Sequence, residues 1–132
     1  MHRLARPAPA LLAVALMLLG ACGDARQSLA PPGRPGQLEG ADPVRGRLLI
    51  SERGCLSCHR VAGISGPASR IGPPLTDVGR RTYLGGWLPN TPDNLVRWLL
   101  DPPAVNPRTA MPAADLTPSQ ARDIAAFLLS RR

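Results

Sequence analysis

The chain has 132 residues, with sixteen arginines and no lysine against nine acidic residues, and a net charge of +7. The arginines are scattered rather than striped, which argues against nucleic-acid binding and for a mildly basic face suited to an acidic protein partner. Two Trp, one Tyr and one Phe are a thin aromatic supply for a packed core, so a domain of this size gains from a cofactor or a cross-link.

In chain order, Arg3 and Arg6 precede the apolar run ALLAVALMLL at residues 10–19. That run has the length of a signal-peptide core and falls short of the roughly 20 apolar residues needed to span a bilayer. It ends in Leu19-Gly20-Ala21-Cys22, which resembles the lipobox of bacterial lipoproteins. The resemblance implies a signal peptide over residues 1–21, lipidation of Cys22, and a membrane tether on the periplasmic side of a bacterial membrane, inner or outer. Two or more acyl chains bind stably, at roughly 0.8 kcal/mol per buried methylene. Residues 22–41 are rich in Pro, Gly and polar side chains and read as a flexible stem, with a coil span of about 25 Å. Removing Arg3 and Arg6 with the signal leaves fourteen arginines against nine acids, a mature charge of +5.

Residues 42–132 form one small domain. A first helix is expected from Asp42-Pro43, an N-cap acid followed by proline in the first turn, through VRGRLLISER to Gly54. A second starts at Thr91-Pro92 and must stop before Pro102-Pro103. A third starts at Thr117-Pro118, with Gln120 in capping-box position and Ile124, Phe127 and Leu128 on one face. No strand is assigned, and residues 60–90 and 102–116 read as irregular. Loops this long in a compact domain are unusual unless they wrap something. The fold class is therefore all-α, three main helices with long loops.

Cys55-Leu56-Ser57-Cys58-His59 is a C-x-x-C-H motif, and it admits a covalent haem site, a thiol redox pair or half of a zinc site. About one helical turn separates the thiols, so both can reach the vinyl groups on one porphyrin edge, and the next residue brings an imidazole under the iron. Once the signal is removed, His59 is the last histidine, so zinc would have three ligands at most. A thioredoxin-like pair would be expected near a βαβ pattern, which is missing. The motif thus points to one covalently attached haem c. Of the three methionines, Met1 and Met17 leave with the signal, so Met111 is the thioether available as the sixth iron ligand opposite His59.

GRLLI, CLSCH, GPPL, LVRWLLDP, NPRTAMP and DIAAFL, in this order over residues 42–132, resemble the class I (mitochondrial-type) monohaem cytochromes c. The resemblance implies a small cytochrome c fold wrapped around one haem, with the first and last helices crossing where Gly46 faces Phe127. It implies that the Pro73 carbonyl takes the proton of the outer His59 nitrogen and that Leu75 packs on the ring. It places Trp98 beside the methionine, Thr109 at a haem propionate, and either Arg80 or Arg81 at a propionate-pairing position. PLTDVGRR fits the family only with a shift of one residue, and RTYLGGWLPN does not align cleanly, so Tyr83 and Trp87 acquire no role from it.

An iron saturated by His59 and Met111 has no open position for substrate, so the expected function is one-electron transfer in a respiratory chain rather than catalysis. The partners would be redox proteins, such as a haem-copper oxidase or a periplasmic dehydrogenase, met by a roaming carrier or by a fixed subunit of such a complex. A haem sensor or peroxidase is the rival from another class, and it requires Met111 to be labile.

Overall fold

The computed structural model describes residues 38–67 and 69–131. The signal-like run, Cys22 and the stem up to residue 37 lie outside the described residues. Among the described residues four helices are present: α1 (Pro43–Glu52), α2 (Pro92–Leu100), α3 (Pro102–Val105) and α4 (Pro118–Ser130). A two-stranded antiparallel ribbon, β1 (Tyr83–Leu84) and β2 (Leu88–Pro89), precedes α2. None of the described helices is long and apolar enough to cross a membrane.

All four helices begin by one device, a capping side chain followed by proline in the first turn. Asp42 accepts from the Val44 and Arg45 amides at 2.8 and 3.1 Å. Thr91 accepts from Asn94 N at 3.2 Å, and Asp101 accepts from Ala104 N at 3.0 Å. At α4 the reciprocal box closes: Gln120 N donates to Thr117 Oγ1 at 3.3 Å and Thr117 N to Gln120 Oε1 at 3.0 Å. Proline loses nothing there, because its missing N–H would have had no helical partner.

The core is the crossing of α1 and α4, with α2 packed on α4. Leu49 and Ile50 from α1, Leu95 and Leu99 from α2, and Ile124, Ala125, Leu128 and Leu129 from α4 are buried. Gly46 makes the crossing possible. A Cβ there would lie 2.0 Å from Asp123 O and 2.9 Å from Ile124 N, so the two backbones touch where any side chain would part them. Gly46 thus meets the Asp123–Ile124 backbone, one turn before the buried Phe127 on the same helix. Beside the contact, Asp42 N donates to the buried Asp123 Oδ1 at 2.8 Å, and Arg45 Nε lies 3.6 Å from Oδ2.

Three expectations about the irregular segments are revised. Within 102–116, Pro102–Val105 forms one helical turn, because Asp101 and Pro102 repeat the capping device. Within 60–90, Val78–Arg80 forms a 3-10 turn, and Gly85 and Gly86, at φ 55 and 88, let the chain reverse into the ribbon. Trp87 N–H closes that reversal on Leu84 O at 3.2 Å; only glycine enters such a turn cheaply at both central positions. The stem also ends earlier than expected. Leu38 is buried and Arg122 donates to Glu39 O at 2.6 Å, so residues 38–41 already belong to the folded unit.

Candidate haem site

The motif begins one residue after Gly54, whose φ of 72 ends α1 and turns the chain. Cys55–Ser57 then makes a single 3-10 turn. Cys55 O accepts from Cys58 N at 3.3 Å and from His59 N at 2.9 Å, and Ser57 Oγ ties back to Gly54 O at 2.7 Å. Both thiols and the imidazole therefore leave one tight turn. The two thiols are free and half-buried. Burial pushes the Cys55 thiol above its ordinary value, with its own backbone hydrogen bond opposing and the neighbouring Cys58 adding to the rise.

A second loop closes over the imidazole. Gly72 N donates to Cys58 O and Leu75 N to Arg60 O, each at 2.8 Å, so residues 72–75 run alongside residues 58–60. This places Pro73 O 2.8 Å from His59 Nδ1. A carbonyl can only accept, so Nδ1 carries the proton and Nε2 presents a lone pair. That is the tautomer a metal needs, and the carbonyl fixes the orientation of the ring. Gly72 is essential to the closure: a Cβ there would lie 2.4 Å from His59 Cε1 and 2.5 Å from Nδ1. The Gly of GPPL is thus a site residue that sequence reasoning passed over; its position directly before the proline was the available signal.

The remaining predicted residues divide. Cys55, Leu75, Trp98 and Met111 are all half-buried and packed against the core. Trp98 lies under the ribbon, with its ring 3.0 Å from where a Gly85 Cβ would be. Thr109 Oγ1 accepts from Met111 N at 3.1 Å, so its contact among the described residues is with the methionine's own backbone. Its hydroxyl proton is left to donate elsewhere. The two arginines are distinct: Arg80 is exposed, whereas Arg81 donates to Pro74 O and to Asp77 Oδ1, the latter at 2.8 Å. The Arg81 guanidinium holds the Asp77 carboxyl below its ordinary range. Arg81 is therefore the arginine anchored to the histidine-covering loop.

These residues fit a covalent haem: paired thiols on one turn, a tautomer-fixed imidazole directly after them, and a half-buried thioether at the edge of the core. Among the described residues no three His, Cys, Asp or Glu side chains gather into a metal cluster of another kind.

Comparison with known proteins agrees with this chemistry. A cytochrome c family model matches residues 43–132. The chain is 34% identical over 87 residues to cytochrome c oxidase subunit 2 of Alkalihalophilus pseudofirmus, covering 65% of this chain and 25% of that protein. It is 34% identical over 94 residues to the same subunit of Bacillus sp. strain PS3, covering 67% and 26%. For Bacillus subtilis the identity is 35% over 69 residues, covering 51% and 19%. The chain thus spans about a quarter, or less, of the length of these relatives. The chain belongs to the cytochrome c family, as a class I cytochrome c with covalently bound haem c.

Proposed function

We propose that this protein is a lipid-tethered, periplasmic one-electron carrier whose haem iron is held by His59 and Met111 and which passes electrons to a haem-copper oxidase. The observation that carries the reading is the His59 imidazole, fixed by Pro73 in the tautomer that leaves Nε2 free, directly behind two thiols on one turn. When bound, the haem supplies a one-electron ferrous/ferric couple, and His/Met ligation sets it toward higher potential. The chain's part is to hold the ring by Cys55 and Cys58 and to keep the imidazole oriented, with Nε2 free, through Pro73. Thr109 holds the backbone of Met111, the side chain proposed for the opposite axial position.

The tether reading is supported by the Leu19–Cys22 pattern, the Pro/Gly stem and the shortness of the apolar run. The oxidase reading is supported by the likeness to oxidase subunit 2. The same likeness favours one alternative, a fixed haem c subunit of an oxidase complex. A reduced-minus-oxidised spectrum with the alkaline pyridine test decides the haem reading, and absence of covalent haem would overturn it. Release of the protein from detergent-extracted membranes as a free species supports the carrier; co-purification with an oxidase through size exclusion supports the subunit.

A further inference from the structure

We propose that Asn90 is a positioning residue for His59, acting at a distance through Arg81 and the Pro73-Pro74 pair. The inference rests on the reading of His59 as an axial ligand. Asn90 is fully buried just before α2. Its Nδ2 donates to Val78 O at 2.7 Å and to Arg81 O at 2.9 Å, and its own N–H donates to Thr82 O at 3.0 Å. Two carbonyl acceptors fix the amide's orientation, because the flipped form would set Oδ1 against both carbonyl oxygens. Oδ1 itself is buried with no hydrogen-bond partner among the described residues. Leaving a buried acceptor unmet is costly, so the position is occupied for its donors, which clamp the Val78–Arg80 turn and the residue after it.

The other side of the turn is held by α4. Gly79 N donates to Arg131 O at 3.0 Å, and a Cβ on Gly79 would lie 2.2 Å from Leu129 O. With both sides fixed, the turn projects the Arg81 side chain, which grips Pro74 O and is braced by Asp77. Pro74 follows Pro73, and both φ angles are locked by the pyrrolidine rings. An anchored Pro74 carbonyl thus constrains the direction of the Pro73 carbonyl, which takes the His59 Nδ1 proton. The links from Asn90 to the imidazole are hydrogen bonds, the proline pair, and the Arg81 side chain, whose guanidinium is held at its far end by Pro74 O and Asp77. Because the hydrogen bond at Nδ1 orients the ring and strengthens it as an electron donor, loosening Asn90 weakens His59 as a ligand to the iron, favours the ferrous state and raises the midpoint potential.

The test uses haem-loaded full-length protein and the variants Asn90→Leu, Arg81→Met and both together, with Asn90→Ser replacing Asn90→Leu if that variant does not retain haem. Two readouts are taken: the midpoint potential, and hydrogen exchange of the His59 Nδ1 proton against the Gly46 amide in the ferrous protein. Asn90→Leu should raise the potential and accelerate His59 exchange by roughly tenfold, the factor carried by loss of one ordinary hydrogen bond, with Gly46 unchanged. The double variant should shift the potential no further than Arg81→Met alone, because the effect of Asn90 runs through Arg81. Additive shifts, an unchanged potential, or equal acceleration at His59 and Gly46 would each overturn the proposal; the last would make Asn90 a general stabiliser only. The ligand reading is checked separately in the wild type. Absence of hyperfine-shifted His59 ring protons in the ferric protein removes that reading whatever Asn90 does.

Discussion

Gly72→Ala sets two physical effects against each other. Gly72 is not among the glycines with positive φ, so its backbone conformation is open to alanine. On chain entropy alone, the substitution should stabilise the protein by about 0.4–1 kcal/mol. The space does not permit it. The new methyl would sit 2.4 Å from His59 Cε1 and 2.5 Å from Nδ1, about 1 Å inside ordinary contact. Either the imidazole turns or the loop lifts, and both break the 2.8 Å bond to Pro73 O. Overpacking of this kind costs about 1–3 kcal/mol, and the lost hydrogen bond about 0.5–1.5 kcal/mol. The clash therefore outweighs the entropy, with a net loss of about 2 kcal/mol and a fall in Tm of about 8–16 °C for a domain of this size. Thermal unfolding of the haem-loaded protein, followed by helical circular dichroism and by the haem absorption band, measures it. The haem band should change with the fold, because the perturbed group is the imidazole. A Tm equal to or above that of the wild type, with an unaltered band, would refute the steric argument.

Cys55→Ser or Cys58→Ser should each lower covalent haem content, and the double variant should lose it entirely; haem staining after denaturing electrophoresis reads this, and full retention in the double variant counts against the thioether assignment. Met111→Ala should lower the potential, remove the weak near-infrared band of sulfur ligation in the ferric protein and admit carbon monoxide to the ferrous protein. If the wild type already binds carbon monoxide and the substitution changes nothing, Met111 is not the ligand. Cys22→Ala should free the protein from the membrane pellet or block its maturation, and persistence in the pellet after a salt wash would reveal another anchor. The folded-state pKa of Asp77 is lowered by Arg81. Its contribution to stability is therefore complete above the ordinary carboxylate value and is lost only as pH falls below it, through the lowered folded pKa. Asp77→Asn should lower stability slightly at neutral pH and make no difference well below the lowered folded pKa, which flattens the acid limb; no change at neutral pH, or a loss that persists undiminished in acid, would contradict the pairing.

The sequence by itself determined what is local. The three expected helix starts each follow from a capping side chain and a proline within one turn, and the structure places the helices at Pro43, Pro92 and Pro118. The C-x-x-C-H motif is equally local, because its thiols and imidazole are brought together by hydrogen bonds spanning four residues. Two local signals were nonetheless underread: Asp101-Pro102, which repeats the capping device and starts α3, and Gly85-Gly86, the mark of a tight reversal.

What only the tertiary structure decided involves residues far apart in the chain. Gly46 needs the backbone of Asp123, Gly72 needs the imidazole of His59, and Asn90 needs the carbonyls of Val78 and Arg81. Arg80 and Arg81 are adjacent and chemically identical, and they part only because the turn points one of them at Pro74 and Asp77. Composition and spacing carry no trace of such choices. A glycine's missing Cβ and an amide's two donors acquire meaning only when packing brings another segment within about 3 Å, the distance at which sterics and hydrogen bonds act.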